Sequence, residues 1–217
     1  MIIALIDEPI QLEDSKIRYR LTRESTFICE HLERELKKRK VKYGCSRLNF
    51  DCKDNGEIRD TLIKVEGIGM VDIPFDSKYY SMDNDEKISY ITHLLVCGFE
   101  KYCNLCDMDI TPVLEILAEL KERNYLVDFY PLKPCRRGEY SAKLYCIQDM
   151  ENANFYIELY QKKNLIQQIP FFKTLPGCLG YYYDLGKLEW LDDNTVCLYS
   201  RPNYVDGSRE TRVLKVK

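Results

Sequence analysis

The chain is poor in histidine and tryptophan, with two and one respectively in 217 residues, and carries ten glycines and eight prolines. The shortage of histidine confines any Ser–His or Cys–His nucleophilic chemistry to His31 or His93, because a weak nucleophile needs a base within hydrogen-bond reach. His31 lies among Glu30, Glu33 and Glu35, and His93 lies beside an apolar helical pattern, so neither is marked as such a base by its neighbours. A GxxxxGK(S/T) phosphate loop, a GxSxG elbow and an HExxH motif are all missing. Gly67-Ile68-Gly69 is a lone GxG that reads as a bend in a strand. The longest apolar run, residues 94–99, is six long, against the roughly 20 that span a bilayer. The first six residues lack a basic n-region and run into Asp7-Glu8-Pro9, too short an apolar start for a secretory signal. A cytoplasmic protein that does not engage a membrane is the expectation.

Charge is plentiful but balanced. Thirty-two Lys and Arg against thirty-five Asp and Glu give a formal charge of −3, which excludes the broad basic footprint of a nucleic-acid binder. The imbalance is regional: residues 73–110 hold seven acids and three bases, concentrated in Asp83, Asp85, Glu86, Glu100, Asp107 and Asp109. These acids read either as helix-start charges that complement a macrodipole or as an acidic face that steers a basic partner.

Periodicity divides the chain. Residues 2–6 read as a buried strand and residues 17–21 as a half-exposed one, after which Thr22 is placed to cap a helix over about residues 23–40. Asn55-Gly56 between apolar runs predicts a hairpin pairing residues 45–52 with 58–65. Asp83 with Glu86 has the form of a capping box, followed by Ile88, Ile91, Leu95, Phe99 and Tyr102 on one helical face, with Gly98 allowing close packing. Thr111 as cap and Pro112 at the first helical position predict a third helix that ends near Asn124. Beyond Asn124 the period becomes two, with strands expected at 125–130, 140–147, 155–160, 165–172, 181–183, 187–191, 195–199 and 212–216. Eleven of the seventeen tyrosines fall here, as amphipathic sheet residues or as an aromatic recognition surface. The fold class is therefore α+β, a mixed N-terminal half with three main helices and a strand-rich antiparallel C-terminal meander. One domain over 1–217 is expected, with a possible subdivision into 1–124 and 125–217.

Ten cysteines are the obvious place to look for chemistry. Cys103-Asn104-Leu105-Cys106 is a CxxC, and with His93 and Cys97 it makes H-x3-C-x5-C-x2-C, four ligands within fourteen residues for a tetrahedral zinc ion. The competing reading is of free thiols in a reducing compartment, as Cys29, Cys146 and Cys197 sit in core-like patterns. No cofactor is the expectation, and zinc on His93, Cys97, Cys103 and Cys106 is the alternative.

The segment from Lys78-Tyr79-Tyr80 to Tyr90, and the run Gly180-Tyr181-Tyr182-Tyr183-Asp184-Leu185-Gly186-Lys187-Leu188-Glu189-Trp190 continuing to Val196, resemble in style the bacterial immunity proteins of polymorphic or contact-dependent toxin systems. That resemblance implies a stoichiometric inhibitor that neutralises a cognate toxin by occluding its active site, with no catalysis of its own. Asp83, Asp85, Glu86, Asp107 and Asp109 are then the residues expected to meet a basic toxin domain, with Tyr79, Tyr80 and Trp190 as aromatic anchors. Two alternatives remain open: the zinc protein, and a small enzyme with a site built from scattered carboxylates and tyrosines.

Overall fold

The structure, a computed structural model, describes residues 1–7, 19–54 and 57–216. It is α+β, with twelve strands and three long helices among the described residues. The chain divides into two compact units, Met1–Tyr125 and Leu126–Lys217.

The first unit holds strands β1 (Ile2–Asp7), β2 (Arg47–Lys53), β3 (Ile63–Val65) and β4 (Ile68–Pro74), in the spatial order β1-β2-β4-β3. β1, β2 and β4 run parallel and β3 is antiparallel to β4, with Leu5, Phe50 and Val71 in register across the sheet. These three side chains are fully buried. Helix α1 (Arg20–Lys38) connects β1 to β2, as a parallel pair requires, and packs on β1. Helix α2 (Asn84–Cys106) packs on β4, and α3 (Thr111–Glu122) packs on both other helices. The apolar face of α2, including Ile91, Leu95, Phe99 and Tyr102, is buried as its spacing predicts.

Several sequence expectations are corrected here. The predicted strand at 17–21 gives way to helix, because α1 already begins at Arg20; Ile17 and Arg18 lie outside the described residues. Thr22 is not its cap, since its hydroxyl donates to the carbonyl of Leu5 at 2.7 Å. The hairpin predicted around Asn55-Gly56 is replaced: β2 pairs in parallel with β1 and β4, and the hairpin joins β3 to β4. Its turn is Glu66-Gly67, with φ of 50° and 81°, the two positive values a type I′ turn demands. Asn55 and Gly56 lie outside the described residues. The capping box is present, with Asp83 Oδ1 accepting from the Glu86 amide at 2.9 Å and Glu86 Oε2 from the Asp83 amide at 3.0 Å. Thr111 is the first residue of α3 rather than its cap, and its amide donates to Asp109 Oδ1.

The second unit is built from two antiparallel sheets. One contains β5 (Val127–Phe129), β6 (Cys135–Arg137), β7 (Tyr140–Gln148), β8 (Ala153–Gln161) and β9 (Asn164–Thr174), in the order β5-β7-β8-β9 with β6 also paired to β7. The other is the meander β10 (Lys187–Asp192), β11 (Thr195–Tyr199) and β12 (Thr211–Lys215). Alternate residues Ala142, Leu144, Cys146, Phe155, Ile157 and Leu159 form a core with Leu188, Val196 and Leu198, the outcome that period-two patterning predicts. The strand expected at 181–183 is instead the end of a short helical turn, Cys178–Tyr181, and Tyr181 packs into that core.

Candidate functional site

The N-terminal ends of α1 and α2 both follow the C-terminal ends of parallel strands, where open α/β sheets place their ligand sites. After β4, a 3-10 turn (Ser77–Ser81) leads into α2. Phe75 and Tyr79 are buried beneath it, and Tyr80, Tyr90 and His93 continue the aromatic cluster toward the surface. The ring centroids lie close: Phe75 to Tyr80 5.8 Å, Tyr79 to Tyr80 5.5 Å, Phe75 to Tyr90 6.0 Å and Tyr90 to His93 6.3 Å. Above this floor Met82, Asp85, Glu86, Ser89, Tyr90 and His93 line an open depression of about 550 Å³. The Tyr90 hydroxyl accepts the Asp76 amide at 2.8 Å, and burial holds the phenol above its usual pKa.

A buried ionic cluster supports the floor. The Tyr79 hydroxyl donates to Glu24 Oε2 at 2.7 Å, Arg20 Nε donates to Glu24 Oε1 at 2.8 Å, and the Lys87 ammonium lies 3.3 Å from the same carboxylate. Lys87 and Tyr79 are 3% and 0% exposed, so the inner part of this cluster is inaccessible, and the half-exposed Arg20 closes it on the solvent side. Tyr79 is therefore corrected from partner anchor to core residue, its hydroxyl spent on Glu24.

The predicted acidic residues do not form one patch. Asp83, Asp85 and Glu86 are exposed at the start of α2, whereas Asp107 is its C-cap and Asp109 lies just beyond. A rise of 1.5 Å per residue puts these two groups about 35 Å apart along the helix. Asp109 is committed locally: hydrogen bonds from Thr111 hold its carboxyl below the usual range. Trp190 belongs to the second unit, half-buried against the core there. Tyr80 alone of the three proposed anchors remains beside the acids, half-exposed.

The four-ligand zinc arrangement is also corrected. His93 and Cys97 lie on the outer face of α2, with Cys97 Sγ 3.5 Å from His93 Nε2 and 3.7 Å from Nδ1. Cys103 is six residues further along the same helix, about 240° around the axis, and buried. Burial raises its thiol to about 11. Cys106, half-buried, lies near the Tyr102 hydroxyl. Among the described residues no three His, Cys, Asp or Glu side chains converge as metal ligands.

The second unit contains an arrangement that sequence reading missed. On the outward face of β7 and β8, Glu158 is buried and accepts hydrogen bonds from the hydroxyls of Tyr130 at 2.8 Å and Tyr160 at 2.7 Å, and from Gln168 Nε2 at 3.0 Å. The Lys143 ammonium sits 3.9 Å from the Tyr160 ring centroid and 5.1 Å from that of Tyr130. The spacing Tyr156, Glu158, Tyr160 places these residues on one strand face; the register that sets Lys143 opposite Glu158 was the hidden part.

No protein-family model, curated protein or solved structure matches the chain.

Proposed function

We propose that the chain is a non-enzymatic protein-binding module of the immunity type, which neutralises a cognate toxin by covering its active site. The observation that carries the reading is the depression at the start of α2, where Asp85 and Glu86 share the lining with Tyr90 and His93. Acids accelerate encounter with a basic cleft, and aromatic side chains supply contact area at low entropic cost. The same sign of charge repels phosphate, which disfavours nucleic acid as the direct partner. The cytoplasm suits this role, because the nine described cysteines are all free thiols and reducing conditions preserve them. Among the described residues no helix is long and apolar enough to cross a membrane.

Capture of the tagged chain from its native cells should recover a toxin encoded by a neighbouring gene, at one-to-one stoichiometry. With that partner purified, Asp85→Lys should slow association about tenfold at low salt, with the difference shrinking as salt is added. Asp85 is the better probe than Asp83 or Glu86, whose substitution also breaks the capping box. Unchanged association by Asp85→Lys and by Tyr90→Ala would place the binding surface elsewhere.

A further inference from the structure

We propose that the thiols of Cys45 and Cys106 and the thioether of Met1 form a three-sulfur site for monovalent copper. The three come from separate parts of the first unit: Met1 precedes β1, Cys45 lies just before β2, and Cys106 is the last residue of α2. Hydrogen bonds gather them at one corner. The Ile2 amide donates to the Ser46 carbonyl at 2.8 Å, which sets Met1 beside residues 43–46. The Tyr43 hydroxyl donates to the Asp109 carbonyl at 3.1 Å and the Tyr102 hydroxyl to the Tyr43 carbonyl, so the same residues are tied to the end of α2. There the Cys45 thiol donates to Met1 Sδ at 3.7 Å and accepts from the Tyr102 hydroxyl at 3.7 Å. Cys106 is within hydrogen-bond reach of that hydroxyl as well. Cys45 and Cys106 are half-buried and reachable from solvent, whereas Cys103 turns into the core.

Thiolate and thioether are soft donors, which select copper(I) over harder divalent ions. Zinc is disfavoured: its structural sites take four ligands, and among the described residues no histidine or carboxylate joins these two thiols. Metal–sulfur bonds of about 2.3 Å in a trigonal plane set neighbouring sulfurs about 4 Å apart, close to the 3.7 Å between Cys45 and Met1. The thiol already points its proton at the thioether sulfur, and the ion takes the place of that proton. Rotation of Cys106 about its Cα–Cβ bond brings the second thiolate. Two thiols release two protons to solvent and copper keeps its oxidation state, so binding strengthens as pH rises.

Copper(I) itself is the probe, offered without oxygen as its bicinchoninate complex to the full, reduced chain. The chain should withdraw one ion per molecule and gain an ultraviolet thiolate-to-copper band. Bound copper should protect Cys45 and Cys106 of the parent chain from alkylation while Cys97 still reacts. Cys45→Ser and Cys106→Ser should each lose the ion with an unchanged circular dichroism spectrum, and Cys97→Ser should keep it. In a chain labelled with selenomethionine, one of the five selenium atoms should acquire a copper neighbour by X-ray absorption. No withdrawal of copper, protection of Cys97 in place of Cys45, retention of the ion by either Cys45→Ser or Cys106→Ser, or selenium without a copper neighbour would overturn the proposal.

Discussion

Gly98 of α2 lies directly on the ring of Phe50 in β2: a β-carbon built on this glycine would stand 2.5 Å from Phe50 Cδ1 and 2.6 Å from Cγ. Glycine in a helix interior costs about 1 kcal/mol relative to alanine, yet here it allows the helix to close on the sheet. Gly98→Ala should therefore destabilise by about 1–3 kcal/mol through overpacking, despite the better helix propensity. Urea unfolding would show a lower midpoint at unchanged slope, and adding Phe50→Leu should recover part of the loss.

Glu24 anchors the buried cluster of Arg20, Tyr79 and Lys87. Glu24→Ala should cost about 3–5 kcal/mol, because it leaves the Lys87 ammonium buried without its counter-ion, and Glu24→Ala with Lys87→Met should cost less. Burial works against the Glu24 charge, but hydrogen bonds from Tyr79 and Arg20 and the Lys87 charge outweigh it, holding the carboxyl below its usual 4.5. A depressed carboxyl contributes stability that is present above the unfolded value and lost as pH falls through the folded one. Thermal melts at decreasing pH below 4.5 should show the parent losing stability more steeply than the double variant.

Glu33 and His31 oppose one another. Burial pushes Glu33 up to about 7 from 4.5, so the folded state keeps a proton the unfolded state has released, and stability falls as pH rises through that window. Burial, reinforced by Arg34, lowers His31 to about 4 from 6.5, so stability falls as pH drops through that range. Between 4.5 and 6.5 the two nearly cancel. Glu33→Gln should expose the His31 slope, its stability rising relative to the parent by on the order of 1 kcal/mol across that window after solvent screening. Denaturation midpoints measured at several pH values check this; parallel curves would refute it.

On the outward face of the second unit's sheet, Glu158→Ala removes the acceptor for two tyrosine hydroxyls and an amide. The expected loss is about 2–3 kcal/mol, with Glu158→Gln losing less because it keeps one carbonyl acceptor. Chemical denaturation compares the two.

Features that depend on near neighbours in sequence were legible. The capping box of Asp83 and Glu86, Pro112 in the first turn of α3 and the buried face of α2 all rest on residues within a few positions of one another. The β2 pairing was not legible, because a turn signal at Asn55-Gly56 says nothing of the parallel neighbours Ile3 and Gly69 that Leu48 meets in register. The site was half legible. A window of charge along residues 73–110 adds Asp83 to Asp107 although α2 holds them apart, and a ligand pattern read linearly joins Cys97 to Cys103 although the helix turns one outward and the other into the core.

The sequence by itself determined the α+β class, the three helices and most C-terminal strands, because caps, turns and periodicities of two or 3.6 are local properties of the chain. Only the tertiary structure decided that β1, β2 and β4 run parallel, that Tyr79 is core while Tyr90 lines the depression with Asp85, and that Cys103 turns into the core while His93 and Cys97 stay on the outer face of α2. Those outcomes depend on which distant segments exclude water together, and burial of that kind carries no marker at any single position.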